Sequence, residues 1–185
     1  MRLVLLMVTA VLVAGCTTVV SGSPSAPSGL LLPPRPREVR LDGVDPCSLL
    51  TAEQRARLGF DSEPRASKPN VELFRGEVPT CTIRGPYPDV ALLISGTVTT
   101  VGVERWFERD IAADLRPTTV AGFPSIVAAP TRFTDYCNVE VDVAVGQLLD
   151  VQYGGGHPHA PIEQQELCRR ARAAAELMMI SLLRT

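Results

Sequence analysis

Residues 138-NVEVDVAV-145 form the clearest β-strand signal in this chain of 185 residues. Valine occupies every second position, and Asn, Glu, Asp and Ala fill the positions between. Because successive side chains of a strand point to opposite faces of a sheet, this alternation predicts one face in the core and one face in water. Gly146-Gln147 fits a two-residue turn with glycine first, and residues 148–153 then return as the partner strand. The pattern therefore predicts an antiparallel β-hairpin over residues 138–153.

Three segments outside the hairpin have helical signals. Thr51 and Gln54 fit a capping box at the start of a short helix over residues 52–58. Residues 103–115 carry an apolar residue at every fourth position, which predicts an amphipathic helix. A final helix opens at Pro161, a residue that is tolerated at the first helical position. Its predicted buried stripe comprises Leu167, Ala171, Ala174, Met178 and Leu182.

The order of elements predicts the fold class. Residues 71–74, 81–84, 90–95 and 120–129 are expected to be strands, so that helices and groups of strands alternate along the chain. This order predicts an α+β fold: a single domain in which helices cover an antiparallel sheet, with a short N-terminal helix and a long C-terminal helix. The arrangement resembles the PsbP-like α+β sandwiches.

The N-terminus has the organisation of a secretory signal. Arg2 precedes an apolar run from Leu3 to Val13, and Gly15-Cys16 follows it. The run is shorter than the roughly 20 residues that a membrane-spanning helix needs. Its end resembles the lipobox of bacterial lipoproteins, in which the chain is cut before a cysteine that carries a diacylglycerol. We therefore expect residues 1–15 to be a signal peptide and Cys16 to attach the protein to the outer face of the cell membrane.

Composition separates a tether from a folded unit. Residues 16–40 are rich in Ser, Pro and Gly, and such a segment buries too little apolar surface to fold alone. Residues 41–185 are long enough for one domain with a core. The chain holds 18 basic and 20 acidic residues, a net charge of −2, which argues against nucleic-acid binding. Without a polybasic cluster, contact with the membrane would depend on the lipid.

Five cysteines are present. With Cys16 assigned to the lipid, the other four form an even set in a secreted chain, which predicts two disulfides among three possible pairings. A zinc site is the rival interpretation, but no two of Cys47, Cys81, Cys137 and Cys168 have the close spacing that such sites favour.

The sequence contains little that indicates catalysis, and we expect no enzyme activity and no cofactor. His157 and His159 could bind a metal with Asp150 or Glu163 as a further ligand, but a surface loop before a helix is the simpler interpretation, and we expect no metal site there.

Other residues offer weaker hints of function. Glu140 and Asp142 lie on one strand face and could form an acid–base pair, although that face is the one predicted to be wet. Trp106 is the candidate residue for contact with a ligand or partner. It lies next to Arg105 and near Arg109 in the sequence, and a tryptophan beside arginine is typical of interaction hot spots. A tryptophan that seals the edge of the core is the alternative.

A family resemblance combines several of these features. The lipobox at Cys16, the box 45-DPCSLLT-51, the strand opening Cys137-Asn138-Val139 and a cysteine in the closing helix, Cys168, together resemble an uncharacterised family of actinobacterial lipoproteins. The resemblance covers nearly the whole chain after the signal peptide. The family is a domain of unknown function, so that the resemblance implies location and fold and brings no activity.

The same resemblance implies nested disulfides, Cys47 to Cys168 and Cys81 to Cys137. The overall prediction is a lipid-anchored, extracytoplasmic binding module that contacts an envelope protein, a lipid or a small apolar ligand, without nucleic acid. An envelope hydrolase and a metal-handling lipoprotein are the alternatives. An apolar cavity favours the first, and a cleft that gathers both histidines and a carboxylate favours the others.

Overall fold

The computed structural model describes residues 32–86, 91–108, 111–157 and 160–184. These residues contain two α-helices, α1 (Ala52–Arg57) and α2 (Gln164–Leu182), and three 3-10 helices, η1 (Pro46–Leu49), η2 (Glu72–Phe74) and η3 (Val103–Phe107). The strands are β1 (Arg65–Ser67), β2 (Asn70–Val71), β3 (Gly76–Glu77), β4 (Thr80–Arg84), β5 (Leu92–Val98), β6 (Ala113–Val120), β7 (Phe123–Pro130), β8 (Tyr136–Ala144), β9 (Gln147–Gly154), β10 (Gly156–His157) and β11 (Ala160–Pro161).

Seven of the strands form one antiparallel sheet in the order β1-β4-β5-β9-β8-β7-β6. The pairs β2–β3 and β10–β11 form two small separate sheets. Strands β8 and β9 lie in the middle of the large sheet, where each is paired on both sides. The predicted hairpin is therefore confirmed, and it supplies the centre of the fold.

The hairpin turn differs from the predicted one by one residue. Ala144 pairs with Gln147, so that Val145 and Gly146 form the turn, and Gly146 has the positive φ of 69° that such a turn requires. A bulge between Asp142 and Ala144 shifts the register again. Val145 is consequently 73% exposed, although the alternation predicted it to be buried.

One face of the sheet, the helix face, packs against α2. The valines of β8 that precede the turn lie in this core together with the predicted stripe of α2, which is buried throughout. The capping box of α1 is also present, with Thr51 accepting from the Gln54 backbone and the Gln54 side chain accepting from Thr51. These local predictions are confirmed.

The predicted fold class is wrong. The molecule is mostly β, with one long C-terminal helix on one face, and it is not an α+β sheet covered by helices. Helix α1 has only 6 residues and buries none of them. The predicted helix over 103–115 is absent, because η3 ends at Phe107 and β6 begins at Ala113. Residues 113–120 instead pair with β7 at eight register positions, through a tight turn in which Ala121 and Gly122 both have positive φ. This pairing determines the conformation of the segment despite its helical spacing of apolar residues.

The second face of the sheet is also buried, which contradicts the prediction of a wet face. The side chains that cover this face come from η2, from η3 and from the residues between η2 and β4. They form a second apolar cluster. The polar side chains of β8 therefore lie inside the molecule, and Asn138, Glu140 and Asp142 are all buried. A local alternation cannot reveal a layer that residues 71–107 supply from elsewhere in the chain.

The disulfides join Cys47 to Cys81 and Cys137 to Cys168. The pairing implied by the resemblance, Cys47–Cys168 and Cys81–Cys137, is wrong. Strands β4 and β8 are three positions apart in the sheet, a distance of roughly 14 Å at the usual spacing, which is too far for a disulfide. One bond instead ties η1 to β4, and the other ties β8 to α2.

The chain approaches the sheet at the Val145 turn. Arg35 pairs with Asp142, the Val39 amide donates to the Val143 carbonyl at 2.8 Å, and the Leu41 amide donates to Gln147 Oε1 at 2.7 Å. Residues 35 and 39 belong to the segment that composition assigns to the tether, and they are nevertheless fixed to this end of the hairpin.

Candidate functional site

A cavity of about 450 Å³ lies between the second face of the sheet and the layer that contains η2 and η3. Its walls combine apolar and polar side chains in similar proportion. The apolar group is Leu73, Trp106, Ile111, Ala112, Ala113, Pro130, Phe133 and Tyr136, and the polar group is Glu72, Arg105, Arg132, Asn138 and Gln152.

Trp106 forms part of the cavity wall. It is the only tryptophan in the chain and is 5% exposed, since the side chain of this η3 residue packs into the second apolar cluster beside Ile126 and Leu148. The structure thus places Trp106 both at the edge of a core and at a cavity. Its role as a contact residue stays a prediction, and its position makes it a natural optical reporter for this cavity.

Arg105 holds η3 in place. Its Nε donates to the Leu73 carbonyl at 2.8 Å, and its Nη1 donates to Glu108 at 2.9 Å. Arg75 also pairs with Glu108, so that the segment carrying η2 and the segment carrying η3 are joined by a shared carboxylate. This charged group positions the wall that contains Trp106.

Two amides form the polar floor of the cavity. Asn138 on β8 lies directly opposite Gln152 on β9, and both line the cavity. Asn138 Nδ2 donates to Asp150 Oδ1 at 2.8 Å. Because a carboxylate can only accept, this bond fixes which end of the Asn138 amide faces Asp150.

Beside the floor, two residues along the same two strands and on the same face of the sheet, lies a pair of carboxyl groups, called here the acid pair, formed by Glu140 and Asp150. The two residues are directly opposite each other on β8 and β9, and they are 0% and 7% exposed. Burial, together with the charge of Asp150, raises the pKa of Glu140 well above its ordinary value. Burial likewise raises the pKa of Asp150, while the neighbouring Glu140 and the hydrogen bond from Asn138 oppose that rise. Burial and proximity therefore disfavour the state in which both carboxyl groups are charged.

The residues around Glu140 do not provide hydrogen bonds to its carboxyl oxygens. Among the described residues, the buried side-chain atoms without a hydrogen bond of ordinary geometry are both Glu140 oxygens, Trp106 Nε1 and Asn138 Oδ1. The indole and the amide are close enough to lower the pKa of Glu140 slightly, yet they do not offset burial. Unsatisfied buried polar atoms are few in natural proteins, so that their concentration around one carboxyl group calls for a specific explanation.

The acid–base pair predicted from the sequence, Glu140 with Asp142, is not formed. Asp142 binds Arg35 at 2.6 Å, and that bond partly offsets the rise in the pKa of Asp142 caused by burial. The partner of Glu140 is Asp150, which the sequence analysis missed. The predicted turn would have placed Tyr153 opposite Glu140, whereas the observed turn and bulge bring Asp150 there.

The predicted metal ligands are not brought together in the part of the molecule that can be described. His159 and the side chain of His157 lie outside the described residues. Asp150 is committed to Asn138 and the acid pair. Within residues 32–86, 91–108, 111–157 and 160–184, no three His, Cys, Asp or Glu side chains are arranged to hold a metal ion.

A second depression lies between β6 and α2, beside the Cys137–Cys168 disulfide. Its charges are mostly paired with one another: Arg169 with Glu166, and Arg172 with Glu176 on the same helix. Its lining ranges from exposed to buried and includes three arginines and two glutamates. It therefore offers a weaker case for a ligand than the cavity beside Trp106.

The comparisons place the chain in a family. A family model described as a protein of unknown function (DUF3558) matches residues 11–180. This chain belongs to the DUF3558 family. The matched range of this DUF3558 protein includes all five cysteines, of which Cys16 lies outside the described residues. No curated protein and no solved structure matches the chain. Within the described residues, neither helix has the length and apolar character needed to cross a bilayer.

Proposed function

We propose that this DUF3558 protein is a non-enzymatic binding module of the cell envelope, anchored by a lipid on Cys16, whose cavity takes a small amphiphilic ligand. The observation that carries the proposal is the cavity beside Trp106. Its volume of about 450 Å³ falls within the range of sites for small molecules, roughly 300 to 1,000 Å³. Its position between a sheet and a covering layer is typical of such sites.

The chemistry of the lining supports an amphiphilic occupant. Trp106, Ile111 and Phe133 offer apolar contact surface, and among the described residues Phe133 is one of three large apolar side chains that remain exposed. Asn138 and Gln152 offer amide groups at the floor. A ligand with an apolar body and a hydrogen-bonding end matches this distribution, because each part would meet groups of its own kind.

Binding is favoured over hydrolysis by the position of the acid pair. A general acid or base must reach the atom from which it takes or to which it gives a proton. Glu140 and Asp150 lie beside the floor, two residues along β8 and β9, and they are buried and do not line the cavity. The raised pKa of Glu140 is the one observation in favour of a hydrolase, and burial explains it without a substrate.

Ligand binding can be tested with N-phenyl-1-naphthylamine, an apolar fluorophore that accepts excitation energy from tryptophan. We expect saturable energy transfer from Trp106 to the bound probe. The variant Ala113→Phe, which adds a ring to the cavity wall, should weaken binding at least tenfold. The matched control is Ala173→Phe on the exposed side of α2, with thermal melts to confirm that both variants fold. Equal affinity in both variants, or no saturable transfer, would contradict the proposal.

The lipid anchor predicts a separate result. Replacement of Cys16 by alanine removes the sulfur that would carry the diacylglycerol, so that the variant should leave the membrane fraction and accumulate as precursor or released protein. Cell fractionation and intact mass of the native and variant proteins provide the measurement, with Cys47→Ala as the control for loss of a cysteine elsewhere. A native protein whose mass shows no lipid would refute the anchor and leave the cavity proposal standing.

A further inference from the structure

We propose that the acid pair, Glu140 and Asp150, is a proton-dependent switch that holds η3 against the sheet and releases it when the shared proton is lost. The switch would regulate access to the cavity, because η3 supplies Trp106 and Arg105 to the cavity wall. That regulatory role rests on the proposed function. The movement of η3 does not depend on any ligand.

The geometry of the acid pair requires a proton. Two carboxylates directly opposite each other on neighbouring strands repel, and burial keeps bulk solvent from screening the charges of Glu140 and Asp150. With one proton, the protonated carboxyl group donates to the other and the pair carries a single negative charge. When that proton passes to solvent base, both groups become anionic in a buried site, and the fold must admit water to solvate them.

The charged groups around the acid pair do not neutralise a second negative charge. On β8, Asp142 is already paired with Arg35 from the N-terminal segment. On η3, Glu104 is acidic and Arg105 is bound to Leu73 and Glu108. From the flanking strands, β5 presents Gly96 beside Asp150, and β7 presents Ile126 opposite Glu140.

The element that can yield is η3. Strands β8 and β9 are paired on both sides, so that they cannot separate without breaking the sheet. Helix η3 is a 5-residue 3-10 helix without a side-chain cap at its N-terminus, and it pairs with no strand. Elements that lack ladder hydrogen bonds open at lower free energy than the strands beneath them. Trp106 is also the η3 side chain whose proximity lowers the pKa of Glu140.

The direction of the pH effect follows from linkage. A carboxyl group whose pKa is higher in the folded state than in the unfolded state stabilises the fold fully below the unfolded pKa. That contribution is lost as pH rises through the folded pKa. Since the pKa of Glu140 is raised, the closed position of η3 is favoured at low pH and is lost as pH rises above the ordinary range for a carboxyl group.

The emission of Trp106, the single tryptophan, measures this movement directly. In the full chain without any ligand, a scan from about pH 5 to 9 should give a reversible red shift of the emission maximum and a several-fold rise in the acrylamide quenching constant. Far-UV circular dichroism should stay constant, because the sheet remains intact. Absence of the transition, or its coincidence with loss of the circular dichroism signal, would overturn the proposal.

Matched variants assign the transition to the acid pair. Glu140→Gln and Asp150→Asn each replace one carboxyl group by a neutral amide of the same shape. Glu140→Gln should abolish the transition, whereas Asp150→Asn removes a neighbouring charge but leaves Glu140 buried and should move the midpoint to lower pH. Asp142→Asn, two residues along the same strand, should retain it. A transition that persists unchanged in both acid-pair variants would overturn the switch. Probe binding at a fixed low pH is a separate measurement. If the probe does not bind but the pH transition is present, the binding site is refuted. If the probe binds but the transition is absent, the switch is refuted.

Discussion

Reduction of both disulfides is expected to lower the melting temperature of the folded protein by about 10 to 30 °C. The bonds Cys47–Cys81 and Cys137–Cys168 span 34 and 31 residues. Chain-entropy arithmetic for loops of this length gives roughly 4 kcal/mol each as an upper figure, with values down to about 2 kcal/mol common. One kcal/mol corresponds to about 2 to 4 °C in a domain of this size. Together the two bonds contribute an amount comparable to the net stability of a typical domain.

Differential scanning calorimetry with and without a strong reductant measures this effect, after unfolding and refolding in reductant to open the buried Cys137–Cys168 bond. The double variants Cys47→Ala/Cys81→Ala and Cys137→Ala/Cys168→Ala should each show part of the loss. Peptide mapping under non-reducing conditions should recover the same two pairs. A melting temperature that changes by less than about 3 °C on full reduction, or peptides that join Cys47 to Cys168, would contradict the structure.

Truncation of Leu167 to alanine is expected to destabilise the protein by about 2 to 5 kcal/mol, or roughly 5 to 15 °C in melting temperature. Leu167 is fully buried, in the core between α2 and the helix face of the sheet. The loss combines the transfer free energy of the deleted atoms with the cavity that they leave. Its neighbour Cys168 is fixed to β8 by a disulfide, which restricts how far α2 can relax into that cavity.

Ile180 provides the matched control on the same helix, because it is 38% exposed. The variant Ile180→Ala should change the free energy of unfolding by less than about 1 kcal/mol, since Ile180 stays partly in water and its deleted atoms leave no enclosed cavity. Urea denaturation of the three proteins, followed by circular dichroism, gives the comparison. Equal destabilisation by Leu167→Ala and Ile180→Ala would mean that α2 does not pack on the sheet through the predicted stripe.

Features that depend on neighbouring residues were predictable from the sequence. The hairpin of β8 and β9, the capping box at Thr51 and the buried stripe of α2 all follow from periodicity and local hydrogen bonding. The helix predicted over residues 103–115 was wrong for a related reason. Apolar residues at every fourth position also occur in a short 3-10 helix followed by an edge strand, so the spacing does not distinguish the two. Pairing with β7, which no local pattern encodes, determined its conformation.

The candidate site was only partly predictable. The sequence analysis named both Trp106 and Glu140 as candidates. Their proximity, however, depends on a layer of the chain that folds back over the second face of the sheet. The partner of Glu140 depends on a turn shifted by one residue and on a bulge, and either change alone would bring a different side chain opposite it. The disulfide pairing similarly depends on the order of strands in the sheet.

The attachment of the N-terminal segment at one end of the hairpin gives the domain a polarity. Arg35, Val39 and Leu41 hold the incoming chain near Asp142 and the Val145 turn, whereas the cavity floor at Asn138 lies four residues along β8, roughly 13 Å away. Under the lipid anchor proposed for Cys16, the chain that leads towards the anchor and the cavity floor therefore meet the sheet at separate positions along β8.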